Sequence, residues 1–391
     1  MDVEEQPSPN STNVKRFGLK NSIQTNFGDD YVFQIVPKYV PSFSSPFKLV
    51  EFMLKLDRNA MAVSLSTSAV KLYSPMAGQY FGECKGHTAT INQILFSGPS
   101  HHQVLCSCSS DGTIRAWDTR TFQQVSCINA GSSQEVFSFC LGGTSGNLVA
   151  AGCKSQILFW DWRNMKQIAC LEDSHVDDVT QVHFVPNEQG KLISASVDGL
   201  ICTFDTSGDI NDDDHLESLT HALFLPAMVV FCTFNFVAVT EESIWNWKDG
   251  RNEGNFSDAR TLASESWNLD HVDYFIDCHY NRESEKLWVI GGTNAGTMGY
   301  FPVNYKGVAT IGGAEAILEG GHTGVIRSVL PMSKIHSNSP SQGIFGWTGG
   351  EDGRLCCWLS DDSSESNRSW ISSTLIMRPE KTRKKNRHQP Y

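Results

Sequence analysis

A turn carboxylate set six residues before an aromatic, and set there again and again, limits the fold of this chain more than any other feature. "SSDGTIRAWDTR" (Ser109–Arg120) has Asp111 six residues before Trp117. "SVDGLICTFD" repeats the offset with Asp198 and Phe204, and "GEDGRLCCWL" repeats it with Asp352 and Trp358. "EESIWNWKD" places Glu241 six residues before Trp247, while "KSQILFWDWR" keeps Trp160-Asp161 and the apolar run without the acid. Weaker copies, "TSAVKLY" and "AGTMGYF", close on Tyr73 and Phe301. The closing aromatics are spaced by 44, 43, 44, 43, 54 and 57 residues. The two long intervals fit insertions such as "DGRNEGNFSDARTLASES" and "SKIHSNSPSQG".

Within one period the pattern reads as four strands: His87–Phe96 innermost, then Gln103–Ser110, Thr113–Asp118 and Gln123–Ile128. Asp111-Gly112 is the tight hairpin between the second and third. One such sheet cannot bury both faces alone, so each repeat must stack on its neighbours. A period in the low forties is that of a propeller array. The fold expected is therefore all-β, and the 391 residues suit one closed ring of seven blades rather than several domains. Residues 1–27, polar and rich in Pro, Ser and Asn, are expected to be disordered, 28–377 to form the propeller and 378–391 to be a flexible basic tail.

These stretches resemble the WD40-repeat family over roughly residues 30–360. "SHVDDVTQVHF", "VIGGTNAGTMGYF", "LEGGHTGVIRS" and "TGGEDGRLCCW" add to the likeness. The resemblance implies a buried hydrogen-bond chain from the turn Asp through the His of Gly-His and a Ser/Thr to the Trp. Residue by residue, this maps to Asp111, His87, Ser107 and Trp117, and to Asp352, His322, Thr348 and Trp358. Asp198, His175 and Ser194 form a third set, but Phe204 has no N–H to complete it. The residue before the turn Asp faces the rim where partners of the family commonly sit: Ser110, Val197 and Glu351 here. "WDTR" and "WDWR" resemble the boxes by which some propellers dock on the adaptor of a cullin–RING ubiquitin ligase, with Arg120 and Arg163 as contacts. Equally, a basic residue after Trp-Asp can simply cap an exposed turn. The last blade needs an outer strand, for which "YVFQIV" (Tyr31–Val36) and "WISSTLI" (Trp370–Ile376) both qualify; by family habit the N-terminal one is expected.

An Asp, a His and a Ser together also invite a hydrolase reading, but an active site occurs once and this trio recurs. No GxSxG, GxxxxGK[ST] or HExxH is present, so no catalytic residue or cofactor is assigned. The twelve cysteines lie mostly in apolar strand patterns and include no CxxC, so free core thiols are expected and no structural metal. "DINDDDHLESLT" lacks the Gly and Glu of a calcium loop. No run reaches the roughly 18 apolar residues of a membrane helix, and "MDVEEQPSPNSTN" is unlike a secretory leader.

The net charge is −12, and the segment 378–391 holds six of the basic residues; without it the chain carries −17. Such a body repels phosphates and suits basic protein partners rather than nucleic acid. Arg383, Lys384, Lys385 and Arg387 match a short nuclear localisation signal, or a solubilising tail. The expected location is nucleus, cytoplasm or both, with no secretion.

Overall fold

A computed structural model of the chain describes residues 15–25, 30–38, 60–97, 103–131, 133–185, 188–208, 210, 219–224, 230–232, 237–239, 243–246, 251–255, 259–265, 267, 271–281, 286–304, 310–331 and 344–360. They form five four-stranded sheets, each meandering in chain order, and one nine-stranded sheet. The first sheet is built from Val32–Pro37, Met61–Leu65, Ala69–Tyr73 and Tyr80–Lys85. Ile91–Phe96, Val104–Ser109, Thr113–Asp118 and Gln123–Asn129 make the second, and Ser138–Gly142, Leu148–Gly152, Ile157–Asp161 and Lys166–Leu171 the third. Val179–Val185, Glu188–Ser196, Leu200–Asp205 and Leu219–Phe224 make the fourth. Val230–Cys232, Val237–Val239, Ser243–Asn246 and Arg251–Asn255 make the fifth.

The nine-stranded sheet divides into two antiparallel halves. One contains Tyr274–Asn281, Lys286–Gly292, Met298–Asn304 and Ala316–Leu318, with Thr310–Ile311 beside Met298–Asn304. The other contains Ile326–Pro331, Ile344–Gly350, Arg354–Ser360 and, as its outermost strand, Lys15–Gln24. The halves join where Lys15, Arg16 and Phe17 run parallel to Ala316, Ile317 and Leu318.

The core lies between sheets, not within any one of them. One apolar cluster joins Ala62, Val70 and Leu72 of the first sheet to Ile94, Leu105 and Trp117 of the second. Another joins Cys106, Ala116 and Ile128 to Phe139, Val149 and Trp160, and a third joins Phe159 and Leu171 to Val182, Leu192 and Phe204. Leu330, Trp347 and Leu355 from the chain's end pack on Val32, Met61 and Val63 near its beginning. Where the side chains are described, successive sheets bury their facing surfaces against one another, which is why the repeat is the unit of folding and the single sheet is not.

The register repeats as faithfully as the sequence. Innermost strands slip near their start, at Val32/Gln34, Ile91/Gln93, Val179/Gln181, Phe275/Asp277 and Ile326/Ser328, and Val179–Val185 slips again at Phe184/Val185. Outer strands slip opposite the closing aromatic, at Leu72/Tyr73, Ala116/Trp117, Phe159/Trp160 and Thr203/Phe204. A bulge re-aims one side chain and twists the strand, spoiling an outer edge for pairing with another chain.

Four expectations need correction. The outer strand beside Arg354–Ser360 is Lys15–Gln24, paired from Phe17↔Ser360 to Gln24↔Arg354. Tyr31–Val36 instead falls on the innermost strand of the first sheet, against Met61–Leu65. The disorder expected over residues 1–27 therefore does not hold for 15–24, and the propeller segment starts before residue 28; residues 1–14 lie outside the described residues. Polar composition misled there because a ladder is made by backbone, and Phe17 and Ile23 suffice to seat the strand on the core. In the fifth sheet the register slip falls at Ile244/Trp245, so Trp245 takes the place expected of Trp247; Glu241 and Trp247 lie outside the described residues. Last, the insertion after Asp249 is not all loop: Ala259–Glu265 is a helix whose Ala259 and Ala263 pack with Trp267 and Phe301.

Candidate functional site

The turn acids are held by local backbone first. Asp111 accepts from the N–H of Thr113 at 3.0 Å and from the Thr113 hydroxyl at 2.6 Å, which fixes the hairpin. Gly112 follows with φ +77°, and a Cβ there would meet the Gly131 carbonyl at 2.7 Å, so the turn requires glycine. The other carboxylate oxygen lies 2.9 Å from His87 Nδ1 and accepts from the Thr88 N–H at 3.0 Å. His87 Nε2 lies 2.8 Å from Ser107 Oγ, and the Trp117 indole N–H donates to the same oxygen at 2.8 Å. The two links to Ser107 are buried, that of His87 to Asp111 partly so.

The arrangement stands twice more. Asp198 lies 3.0 Å from His175 Nδ1, and Ser194 Oγ lies 2.7 Å from Nε2, with Phe204 where the indole would be. Asp352 lies 3.0 Å from His322 Nδ1, Thr348 Oγ1 lies 2.7 Å from Nε2, and Trp358 donates to Thr348 at 2.8 Å. Burial lowers the His87 and His175 rings below the ordinary imidazole value, against the pull of Asp111 and Asp198. Burial alone would raise the Asp111 carboxyl; the Thr113 hydroxyl, the Thr88 N–H and His87 outweigh it and hold it down at about 2. The third sheet has Lys154 where the turn acid would be, paired at 3.0 Å with Glu135 on the surface.

The rim residues Ser110, Val197 and Glu351 occupy one backbone position, each donating its N–H to a carbonyl: Thr90, Asp178 and Val325. Their side chains differ in what they meet. Asn92, at the bulge of the innermost strand, donates to Ser110 Oγ at 3.1 Å. Arg327, at the corresponding bulge, donates from Nε to Glu351 at 2.8 Å. Val197 can form no such bond and stands 62 % exposed.

Arg120 and Arg163 are placed alike. Each guanidinium clamps the carboxylate two residues back, Arg120 to Asp118 at 2.6 Å and Arg163 to Asp161 at 2.7 Å, with about two-thirds of each side chain in solvent. Arg383, Lys384, Lys385 and Arg387 lie outside the described residues. Among the described residues none of the eleven cysteines whose side chains are described is in a disulfide, no trio of His, Cys, Asp and Glu is grouped to hold a metal ion, and no helix is long and apolar enough to cross a membrane.

Sequence reasoning overlooked the polar residue just after each inner bulge. Gln34 accepts from the Ile94 N–H of the next sheet at 2.7 Å, Gln93 from the Phe139 N–H at 2.7 Å, and Ser328 from the Ile35 N–H at 2.9 Å. Innermost strands have an open ladder edge, and these side chains satisfy it across the gap between sheets. For Gln93 and Ser328 a signal was in the sequence, since each stands six residues after the His of a Gly-His pair; Gln34 has no such pair before it.

A family model described as the WD domain, G-beta repeat, matches residues 78–118. The chain is 60 % identical to "WD repeat-containing protein GTS1" of Arabidopsis thaliana, over 97 % of this chain and 94 % of that protein. It is 30 % identical to "WD repeat-containing protein 89 homolog" of Dictyostelium discoideum, over 80 % of this chain and 86 % of that protein. Over 31 % of this chain and 25 % of that protein it is 34 % identical to the mouse "tRNA (guanine-N(7)-)-methyltransferase non-catalytic subunit WDR4".

Proposed function

The chain belongs to the WD-repeat family, and we propose that it is a non-catalytic scaffold: a seven-bladed ring, closed by Lys15–Gln24, whose turn-bearing rims engage protein partners. WD-repeat proteins generally serve as interaction scaffolds and generally are not enzymes. The observation that carries the reading is the saturation of the Asp/His/Ser-Thr chains. Ser107 is wholly buried, and its oxygen is engaged by His87 and by the Trp117 indole. A hydrolase nucleophile must reach its substrate; this hydroxyl is shut away from solvent, and the trio recurs twice. What remains open to a partner is the rim above those turns. The ring itself is supported by apolar clusters that straddle successive sheets and by the packing of the last sheet on the first. Proximity labelling in living cells tests the scaffold reading. A defined set of protein neighbours, reduced by substitutions at Ser110, Val197 or Glu351, is expected; a neighbour set indifferent to all three overturns it.

A second reading rests on the matched geometry of Arg120 and Arg163 in consecutive sheets. The two arginines would dock the adaptor of a cullin–RING ubiquitin ligase and make the protein a substrate receptor. Each guanidinium keeps donors free beyond its Asp, enough to pair with an acidic partner. Co-precipitation of the adaptor that is lost in R120A/R163A is the expected result. Its absence from wild type, or its survival in the double variant, leaves the arginines as turn clamps.

A further inference from the structure

Three turns share one backbone arrangement and differ in what hangs from it. Thr88, Val176 and Thr323 each donate the N–H to the turn carboxylate, at 3.0, 3.0 and 2.9 Å. With the shared bonds of Ser110, Val197 and Glu351, these contacts align the three rims residue by residue. Val176 stands where the others have Thr88 and Thr323, and Val197 where they have Ser110 and Glu351. Asp177 stands where they have Ala89 and Gly324, and Asp178 where they have Thr90 and Val325. The backbone bonds need none of the four side chains of the fourth sheet, since the other two turns are built without them.

Val176 is 87 % exposed and Val197 62 %, the highest values among the large apolar side chains of the described residues. They flank one turn, because Val176 bonds to Asp198 and Val197 precedes it. A pair of valines in water contributes nothing to folding, while covering them removes apolar surface from solvent. Their border is acidic. Asp177 follows Val176 directly, and Asp178 receives the Val197 N–H at 3.0 Å. The Asp178 carboxyl is held above the usual carboxylate range, first by burial and then by the neighbouring Asp177, with Glu135 acting the same way and Lys154 against them. Lys154 is already engaged by Glu135 at 3.0 Å, so the rim keeps an excess of negative charge. Nucleic acid is the wrong partner for such a border. On the other two rims Thr88 and Thr323 stand in place of Val176, and Ser110 and Glu351, in place of Val197, are tied to Asn92 and Arg327.

We propose that the rim of the fourth sheet, Val176 and Val197 bordered by Asp177 and Asp178, docks a protein segment bearing an aliphatic side chain flanked by lysine or arginine. The proposal rests on the scaffold reading and names the partner chemistry of one of its rims. A random peptide library panned on the full-length protein tests it, with V176T/V197S as the counter-screen. That variant, like D177A/D178T, installs residues that the second sheet already holds on the same backbone, so its melting should match wild type.

Enriched peptides are expected to pair an aliphatic residue with lysine or arginine. Their affinity, read by fluorescence anisotropy, should fall at least about tenfold on V176T/V197S. On D177A/D178T it should fall too, with a weaker dependence on salt. No enrichment, enrichment of acidic peptides, or equal binding to wild type and V176T/V197S overturns the proposal. Proximity labelling separates this failure from that of the scaffold reading. Neighbours insensitive to V176T/V197S but lost on substitution of Ser110 or Glu351 overturn the partner assignment alone; neighbours insensitive to every rim variant overturn both.

Discussion

The three turn acids do the same work with different numbers of partners, and that difference is measurable. Removing the Ser107 hydroxyl strands two buried nitrogens, His87 Nε2 and Trp117 Nε1, whereas removing that of Ser194 strands only His175 Nε2. An unsatisfied buried group costs roughly 1–3 kcal/mol, so Ser107→Ala should lower stability by more than Ser194→Ala in chemical denaturation. Asp352→Ala should likewise cost about 1–3 kcal/mol, while Lys154→Ala should change almost nothing, its ion pair being exposed. If melting ranks either pair the other way, the turn acids are not structural. The chains of His87 and His175 set an acid limit. His87 and His175 take up protons more readily when unfolded, as does Asp111, whose folded carboxyl titrates at about 2. Stability from these groups is therefore complete above pH about 6.5 and falls as pH drops, first through the histidine range and then from about 4 towards 2. Asp111→Asn should flatten the lower part of that fall in urea titrations run across pH.

At the scale of the element, the closing strand decides most. Phe17 is 6 % exposed and packs with Ile290, Met298, Leu318 and Trp358. Phe17→Ala should cost about 3–5 kcal/mol, as for other buried phenylalanines, although it sits in a stretch whose composition reads as disordered. Deleting residues 1–13 should leave the melting temperature unchanged. Deleting 1–25 removes the ladder on Arg354–Ser360 and the Thr25 bonds to the Gly353 carbonyl; the exposed edge should then speed hydrogen exchange in Ile344–Ser360 and promote association. Equal exchange in the two truncations contradicts the closing role. Three strands of the second sheet were legible almost to the residue, because alternation and an Asp-Gly turn are local signals; the innermost starts at Ile91, four residues after the expected His87. Lys15–Gln24 was not, because its partner lies more than 300 residues away in the chain.

For the whole molecule, the charge division makes the prediction. The tail 378–391 holds six basic residues against one acid, on a chain of net charge −12. A fluorescent fusion lacking it should shift from nucleus to cytoplasm, and an unchanged partition removes Arg383, Lys384, Lys385 and Arg387 from any account of localisation. The assembly of sheets also distinguishes rims that sequence treats alike. Ser110, Val197 and Glu351 are equivalent by register, yet two are tied down by Asn92 and Arg327 and one is free.

By itself the sequence determined the repeat, the strand order within it and the positions of the turn acids, since each depends on residues a few places apart. It also located Arg120 and Arg163 in equivalent turns. Only the tertiary structure decided which strand completes the last sheet and which polar side chains bridge the open edges of neighbouring sheets, because those choices are made between residues distant in the chain. The same holds for the pair of exposed valines of the fourth sheet. The sequence put Val197 on the rim by its place before the turn Asp, and only the packed turn around Asp198 brings Val176, also uncovered, to the same turn.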